Sequence, residues 1–238
     1  MSYAFGPGPL SSAIKALIWT NVAAFLLSLI LPGMTLYFGL MPAAVIERLR
    51  LWQPVTYMFL HGGLFHILFN MLALWMFGTE LERMWGTRYF LRLYFVTGLG
   101  AAATTLLLGI LPFPVADRIY YSVTIGASGA IYGLLLAYAM YYPDRPIYMY
   151  LLFPIPAKYF VLIIGAIAFL SSIGGAGGGV AHAAHLGGLV ASYLMLKSGR
   201  LRPMAEIKYR YLKWKMNRLR RKFDVYSGGR SDWDRHVH

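Results

Sequence analysis

Residues 125–142 read IGASGAIYGLLLAYAMYY, an apolar run of 18 residues without a charged side chain. A helix of about 20 such residues crosses the roughly 30 Å hydrocarbon core of a bilayer. The whole chain has this character, because 58% of its 238 residues are hydrophobic and 13% are charged. The sequence therefore predicts a membrane-embedded helical domain. It lacks the regular ten-residue alternation that is typical of a transmembrane β-barrel.

Six apolar runs can be placed along the chain, and we expect an all-α polytopic bundle of six transmembrane helices. The runs lie at residues 11–31, 54–78, 89–111, 125–142, 154–171 and 180–197. Residues 1–10 then form a short N-terminal segment, 11–197 the six-span core, and 198–238 a basic tail.

The segments between the runs also carry expectations. Residues 32–51 are too broken for a span and predict an outer loop with short interfacial helices, where Trp52 and Tyr57 mark the headgroup level. Residues 80–88 are interpreted as a short cytoplasmic turn.

The net charge of +13 would suggest a nucleic-acid partner in a soluble protein. Its distribution favours another interpretation. With both termini on one side of the membrane, only Arg48, Arg50 and Arg118 of the 22 Lys and Arg residues fall on the other side. The positive-inside rule then makes both termini cytoplasmic, and we expect no nucleic-acid partner.

The tail contains a basic segment, residues 208–222, with eight Lys and Arg residues and no acid. Its apolar residues recur at helical spacing, which predicts an amphipathic helix lying on anionic lipids. A solvated tail that only fixes the topology is an equal alternative.

Polar residues inside the apolar runs indicate a functional site, because an unpaired polar group in hydrocarbon costs several kcal/mol. Ser128 opens the fourth run, His185 lies in the sixth, and His66 and Asn70 lie one helical turn apart in the second. The predicted spans contain no Asp or Glu, the chain has no cysteine, and no HExxH zinc motif is present. A Ser–His dyad is the hydrolytic mechanism that remains, and we expect no cofactor and no metal.

Stripes of small residues beside Ser128 and His185 suggest how the two could meet. The stripes are Gly129, Gly133 and Ala137 in one helix, and Ala184, Gly188 and Ser192 in the other. Small stripes allow transmembrane helices to approach closely. If these two face each other, Ser128 and His185 come within reach, and Tyr132 can stack on the imidazole.

An acyl-transfer site also needs hydrogen-bond donors for the developing oxyanion. His66 and Asn70 share one helix face and could both donate to one point, with the Ser128 backbone N–H as a third donor. His61 lies about 140° away on a helix, so we expect it to face a loop or the outer interface.

Blander interpretations exist for each motif. A lone GxSG is weak evidence, and a lone buried histidine is more often structural than catalytic. His182 and His185, three residues apart, could be metal ligands, but no acid or cysteine completes a site. The role of His182 stays open.

At these residues the chain resembles the rhomboid intramembrane serine proteases. The resemblance rests on HILFN at 66–70, GASG at 126–129 followed by Tyr132, and AHLGG at 184–188, and it covers about residues 52–196. It implies Ser128 as nucleophile, His185 as base, and His66 and Asn70 as oxyanion donors. The residues expected to support the site are Tyr132, Gly126, Gly129 and Gly188.

The resemblance also implies a substrate and a location. The substrate would be a single-pass membrane protein, cut within or near its transmembrane segment. The location would be a bacterial inner membrane. Two positions depart from the common pattern, Gln53 where many bacterial members have Arg and Ser192 where Gly is usual. They put loop anchoring and helix packing in doubt.

The alternative class is a non-catalytic membrane protein. It could be a rhomboid-like relative that binds or handles other membrane proteins, or a small transporter, although the chain shows none of the internal repeats of a transporter.

Substrate access predicts one further element. The glycine-rich residues 172–179 could be a flexible connector or a mobile cap on the outer side. We expect the cap to gate the site together with Phe153, Phe160 and Phe169 of the fifth span, although these aromatics could equally be ordinary lipid-facing residues.

Overall fold

Helices make up most of the chain that the computed structural model describes, which is residues 8–31, 33–112, 116–149, 153–173 and 179–200. The helices are α1 (Ser12–Ile30), α2 (Met34–Phe38), α3 (Pro42–Glu47), α4 (Gln53–Thr56), α5 (Leu64–Ala73), α6 (Thr79–Trp85), α7 (Thr87–Ile110), α8 (Ala116–Tyr121), α9 (Ser128–Tyr141), α10 (Ala157–Ile173) and α11 (Gly179–Arg200). Contacts divide the chain into Met1–Leu196 and Lys197–His238. Of the second unit only residues 197–200, the end of α11, are described, so the predicted lipid-binding segment at 208–222 lies outside the described residues.

Three helices of the described chain are long and apolar enough to cross a membrane, Ser12–Ile30, Leu64–Trp85 and Thr87–Ile110. Two shorter apolar helices, α9 and α10, follow. A helical membrane bundle is therefore confirmed, whereas the count of six spans stays a prediction.

The second predicted span, 54–78, begins and ends in the wrong places. A 3₁₀ turn, Tyr57–Phe59, follows the short helix α4, and residues 60–63 are not helical before α5 begins at Leu64. The helix then continues to Trp85, so most of the residues interpreted as a cytoplasmic turn are helical. Residues 54–63 were predicted to be part of a span because a buried loop can have the same aromatic and apolar composition as a transmembrane helix.

Glu82, inside this helix, corrects the expectation that the spans contain no acid. Its buried carboxylate accepts hydrogen bonds from the Ser11 hydroxyl, from the backbone N–H groups of Ala13 (3.1 Å) and Ile14 (3.3 Å), and from the Thr87 hydroxyl (2.7 Å). Unpaired N–H groups and a positive dipole end are features of a helix N-terminus, and a carboxylate satisfies both. Glu82 thus ties the start of α1 to the end of α6.

A π-helical turn, Leu74–Gly78, joins α5 to α6. Such turns inside α-helices contain one extra residue and are frequent near functional sites. Gly78 lies at its end, where a Cβ would come within 2.6 Å of Ile14 Cδ1 and 3.3 Å of Phe90. The turn therefore brings the backbone close to both α1 and α7.

Two strands show that the chain is not purely α-helical. β1 (Pro146–Met149) and β2 (Phe153–Pro156) form an antiparallel pair between α9 and α10. Ion pairs from Arg145 to Glu80 and from Lys158 to Asp144 (2.6 Å) flank it.

The hairpin changes the predicted gate. Phe153 lies on β2, at the opposite end of α10 from residues 172–179, and α10 is about 25 Å long. Phe153 and the start of the glycine-rich segment therefore do not lie at the same end of α10, and the gate stays a prediction. Phe160 packs against the core and Phe169 is exposed, while residues 174–178 lie outside the described residues.

The loop at residues 32–51, predicted to lie on the outer side, is anchored by the residues around Gln53. Its buried amide accepts a hydrogen bond from the Met41 N–H (3.0 Å) and donates to the Tyr37 carbonyl (3.2 Å), which the Trp52 indole also contacts (3.0 Å). The doubt about loop anchoring is thereby removed. Tyr57, however, is buried and donates to the Gly98 carbonyl at 2.7 Å, so its ring packs inside the protein and not among lipid headgroups.

Candidate active site

The structure brings Ser128 and His185 together across two helices. Ser128 is the first residue of α9, and His185 lies in the first half of α11. Ser128 Oγ and His185 Nε2 are 2.7 Å apart. This is the distance at which an imidazole can accept a hydroxyl proton.

Tyr132 holds the plane of the histidine ring. It lies one turn after Ser128 on α9, and its ring stacks on that of His185 with a centroid distance of 4.1 Å and an interplanar angle of 8°. A nearly parallel ring at this distance restricts rotation of the imidazole. The expected stacking is present.

The small-residue stripes of α9 and α11 face each other, as predicted. A Cβ on Gly188 would collide with the Gly129 carbonyl oxygen, so the two backbones are in direct contact here. One turn further, the buried Ser192 hydroxyl donates to the Gly133 carbonyl at 2.7 Å. Serine in place of glycine therefore adds a hydrogen bond to the packing rather than loosening it.

His66 lies beside the serine with a defined tautomer. Its Nδ1 accepts a hydrogen bond from the Gly62 backbone N–H at 3.3 Å, so in the neutral ring Nε2 carries the proton. A Cβ on Gly126 would lie 2.8 Å from His66 Nε2 and 3.6 Å from Ser128 Oγ. The donor nitrogen and the hydroxyl therefore both border the space beside the Cα of Gly126.

Asn70 is buried one turn after His66, as the spacing predicted. Its Nδ2 donates to the His66 carbonyl at 2.7 Å, a bond within the helix that the sequence analysis did not foresee. The amide has two N–H groups, so this bond leaves one for another acceptor.

The backbone around Ser128 is fixed by segments distant in sequence. Thr124 pairs with Leu40 in an isolated β-bridge, and the Gly126 N–H donates to the Tyr57 carbonyl at 2.9 Å. Gly126 has φ +122°, a conformation that favours glycine. The first N–H groups of α9, beginning with that of Ser128, have no partner within the helix and form a positive dipole end.

His61 lies in a loop, one of the two places expected for it, but its contact with the candidate site was not predicted. The loop precedes α5, and His61 is 4% exposed there, with its ring 5.0 Å from that of His66, edge to face. Burial, with a smaller contribution from His66, lowers the pKa of His61 to about 4, so this ring is neutral at pH 7. The HxxxxH spacing alone could not reveal this contact, because it depends on where the helix begins.

His182 also contacts the site. Its ring meets that of His185 edge to face with centroids 5.8 Å apart. Among the residues that the structure describes, no group of three His, Cys, Asp or Glu side chains could hold a metal ion.

Fold and geometry together define a helical membrane protein with a serine–histidine pair between two closely packed helices. The chain belongs to the rhomboid family, because the family model described as the Rhomboid domain matches residues 48–199.

Its relatives include proteases from several sources. It is 32% identical to the rhomboid protease GluP of Bacillus subtilis over 156 residues, 66% of this chain and 27% of that protein. It is 31% identical to the rhomboid protease AarA of Providencia stuartii over 152 residues, 60% of this chain and 54% of that protein. Identity to the mitochondrial rhomboid protein 1 of Saccharomyces cerevisiae is 32% over 57% of this chain and 38% of that protein. The chain thus spans about a quarter to about half of the length of these relatives.

Proposed function

We propose that this rhomboid-family chain is an intramembrane serine protease that hydrolyses a peptide bond within or near the transmembrane segment of single-pass membrane proteins. The observation that carries the proposal is the 2.7 Å separation of Ser128 Oγ and His185 Nε2, with Tyr132 stacked on the imidazole. A nucleophile, a base and a group that orients the base are the parts of a serine hydrolase.

The reaction follows from these atoms. Ser128 Oγ attacks the scissile carbonyl carbon while its proton passes to His185 Nε2. The tetrahedral intermediate then collapses, and His185 gives that proton to the leaving amine, so an acyl-enzyme and a free amine result. Water, deprotonated by the same nitrogen, attacks the ester and restores Ser128. No cofactor enters this scheme.

We assign stabilisation of the oxyanion to three donors. His66 offers Nε2–H, because its Nδ1 is occupied by the Gly62 N–H. Asn70 offers the amide N–H that the His66 carbonyl does not use, and the start of α9 offers the Ser128 backbone N–H. Gly126 leaves room for the His66 ring, and Gly129 and Gly188 keep α9 and α11 in contact.

The membrane arrangement belongs to the same proposal. Six spans, both termini in the cytoplasm and a bacterial inner membrane agree with the five apolar helices and with the distribution of basic residues. The length of α11, 22 residues or about 33 Å, suits a sixth crossing. We assign the basic tail to the surface of anionic lipids.

Covalent labelling tests the proposal most directly. A fluorophosphonate probe should label the wild-type protein in vesicles, whereas Ser128→Ala should not react and His185→Ala should react far more slowly. Cleavage of a co-reconstituted single-pass substrate should follow the same order. Full turnover by Ser128→Ala contradicts the serine mechanism. A wild-type protein that neither reacts nor cleaves favours the non-catalytic relative.

The oxyanion donors have a separate test. His66→Ala and Asn70→Ala should each lower kcat by about 10²–10³, less than loss of the nucleophile, because the remaining donors compensate in part. If neither variant changes kcat, the proposed oxyanion face is wrong.

A further inference from the structure

The base of a serine hydrolase is normally held by a hydrogen bond to its second ring nitrogen. His185 Nε2 faces Ser128, and its Nδ1 is buried without a hydrogen-bond partner among the described residues. If Nε2 is to accept the serine proton, the neutral ring must carry its own proton on Nδ1. A buried N–H without an acceptor is costly, so a partner is required.

His182 offers that partner. It precedes His185 by one turn of α11, the two rings meet at 81°, and its own Nδ1 is likewise buried without a hydrogen-bond partner among the described residues. Two rings in edge-to-face contact thus each carry an unsatisfied nitrogen, one requiring an acceptor and the other able to be one. The two nitrogens do not bond each other directly. Rings whose centroids lie 5.8 Å apart can be joined by one water molecule between their nitrogens.

We propose that His182 is a positioning residue that fixes the tautomer of His185 through a single bridging water. His185 Nδ1–H donates to the water oxygen, and the water donates to His182 Nδ1. His182 would then take the place of the carboxylate in a catalytic triad. The inference rests on the proposed protease function, because it assigns a base role to His185.

His182 needs only to accept a hydrogen bond in this arrangement and never to carry a proton away. When His185 accepts the serine proton, both of its ring nitrogens are protonated. The Nε2 proton goes to the leaving amine, and the Nδ1 proton stays on the ring and keeps its hydrogen bond to the water. No proton needs to reach His182, which remains a neutral acceptor throughout. Its effect is to exclude the opposite tautomer, in which Nε2 would carry the proton and could not act as a base.

Replacement of His182 should separate positioning from simple packing. Asparagine can place an amide oxygen near the position of the histidine Nδ1, whereas alanine leaves no acceptor. We expect His182→Ala to lower kcat by roughly 10- to 100-fold with KM unchanged, and His182→Asn to recover most of the loss. Val190→Ala, an exposed position on the same helix, is the matched control and should equal wild type. Equal losses in the alanine and asparagine variants, with lowered thermal stability in both, would indicate packing alone and overturn the proposal.

A spectroscopic readout makes the inference independent of turnover. Nitrogen NMR of ¹⁵N-histidine-labelled protein distinguishes the two neutral tautomers, and the His185 signals can be assigned by their absence from His185→Gln. We expect wild-type His185 to be protonated on Nδ1, and His182→Ala to move the population towards Nε2. A wild-type ring protonated on Nε2, or a tautomer ratio unchanged in His182→Ala, refutes the bridge. The predicted tautomer shift in a protein that does not react with the fluorophosphonate would instead refute the protease function and leave the bridge intact.

Discussion

Gly126→Ala perturbs the candidate active site without replacing any of its functional side chains. Gly126 has φ +122°, where an L-residue is strained by about 1–3 kcal/mol. The new Cβ would lie 2.8 Å from His66 Nε2 and 3.0 Å from its Cε1, closer than nonbonded carbon and nitrogen atoms approach. Because the backbone here is held by the Gly126 N–H bond to Tyr57, the imidazole is the group that must move.

The expected result is a selective loss of catalysis. Displacing one oxyanion donor should lower kcat by about 10²–10³. The backbone strain should lower the free energy of unfolding by about 1–3 kcal/mol, which leaves a folded protein. Cleavage of a single-pass substrate in vesicles gives the rate, and thermal unfolding in the same lipid gives the stability.

Gly63→Ala is the matched control. Gly63 precedes α5 in an extended conformation, φ 170°, and a Cβ there would meet no atom within 4 Å. This variant should cleave at the wild-type rate. If Gly126→Ala keeps more than half of the wild-type kcat, His66 does not contribute from the position described. If both variants lose activity equally, the loop as a whole, and not the ring contact, is the sensitive feature.

Three further perturbations test the dyad, the helix contact and the anchor of α1. The double variant Ser128→Ala/His185→Ala should be no slower than Ser128→Ala alone, since residues that act as a unit are not additive; a further large decrease would argue for independent roles. Gly188→Ala should lower both thermal stability and kcat, because its Cβ would press on the backbone of the neighbouring helix. Gly165→Ala is the control and should be tolerated, since its Cβ would make only an ordinary contact at 3.5 Å. Equal melting temperatures of the two variants would contradict the close packing of α9 and α11. Glu82→Gln should lower the free energy of unfolding by about 1–3 kcal/mol, because the N-terminus of α1 loses a charged acceptor. An unchanged free energy of unfolding would show that the carboxylate is not needed there.

The helical bundle and the meeting of α9 with α11 were predictable because they depend on short-range patterns. Apolar length identifies membrane helices, and small residues at every fourth position identify a close helix contact. Once Gly129 faces Gly188, the positions of Ser128, His185 and Tyr132 follow from helix geometry alone.

What the sequence did not reveal depends on contacts between distant segments. Glu82 resembles a loop acid in sequence, yet it is buried because the unpaired N–H groups of α1 lie against it. His61 and Tyr57 belong to a buried turn whose composition equals that of a membrane helix. The hairpin before α10 is too short and too apolar to be distinguished from a span by hydropathy.

The π-turn at Leu74–Gly78 has a consequence for how this family's sequences are compared. It acts as a one-residue insertion, which offsets the rotational phase of everything after it by about 100°. Residues on the two sides of the turn, such as His66 and Glu82, therefore do not share one helical wheel, because the angle between them differs by this amount from that in a regular helix. Removing one residue from the turn would restore a regular helix and swing one of these ends away from its neighbour. An alignment gap at this turn thus corresponds to a rotation of half the helix, not to a change in loop length.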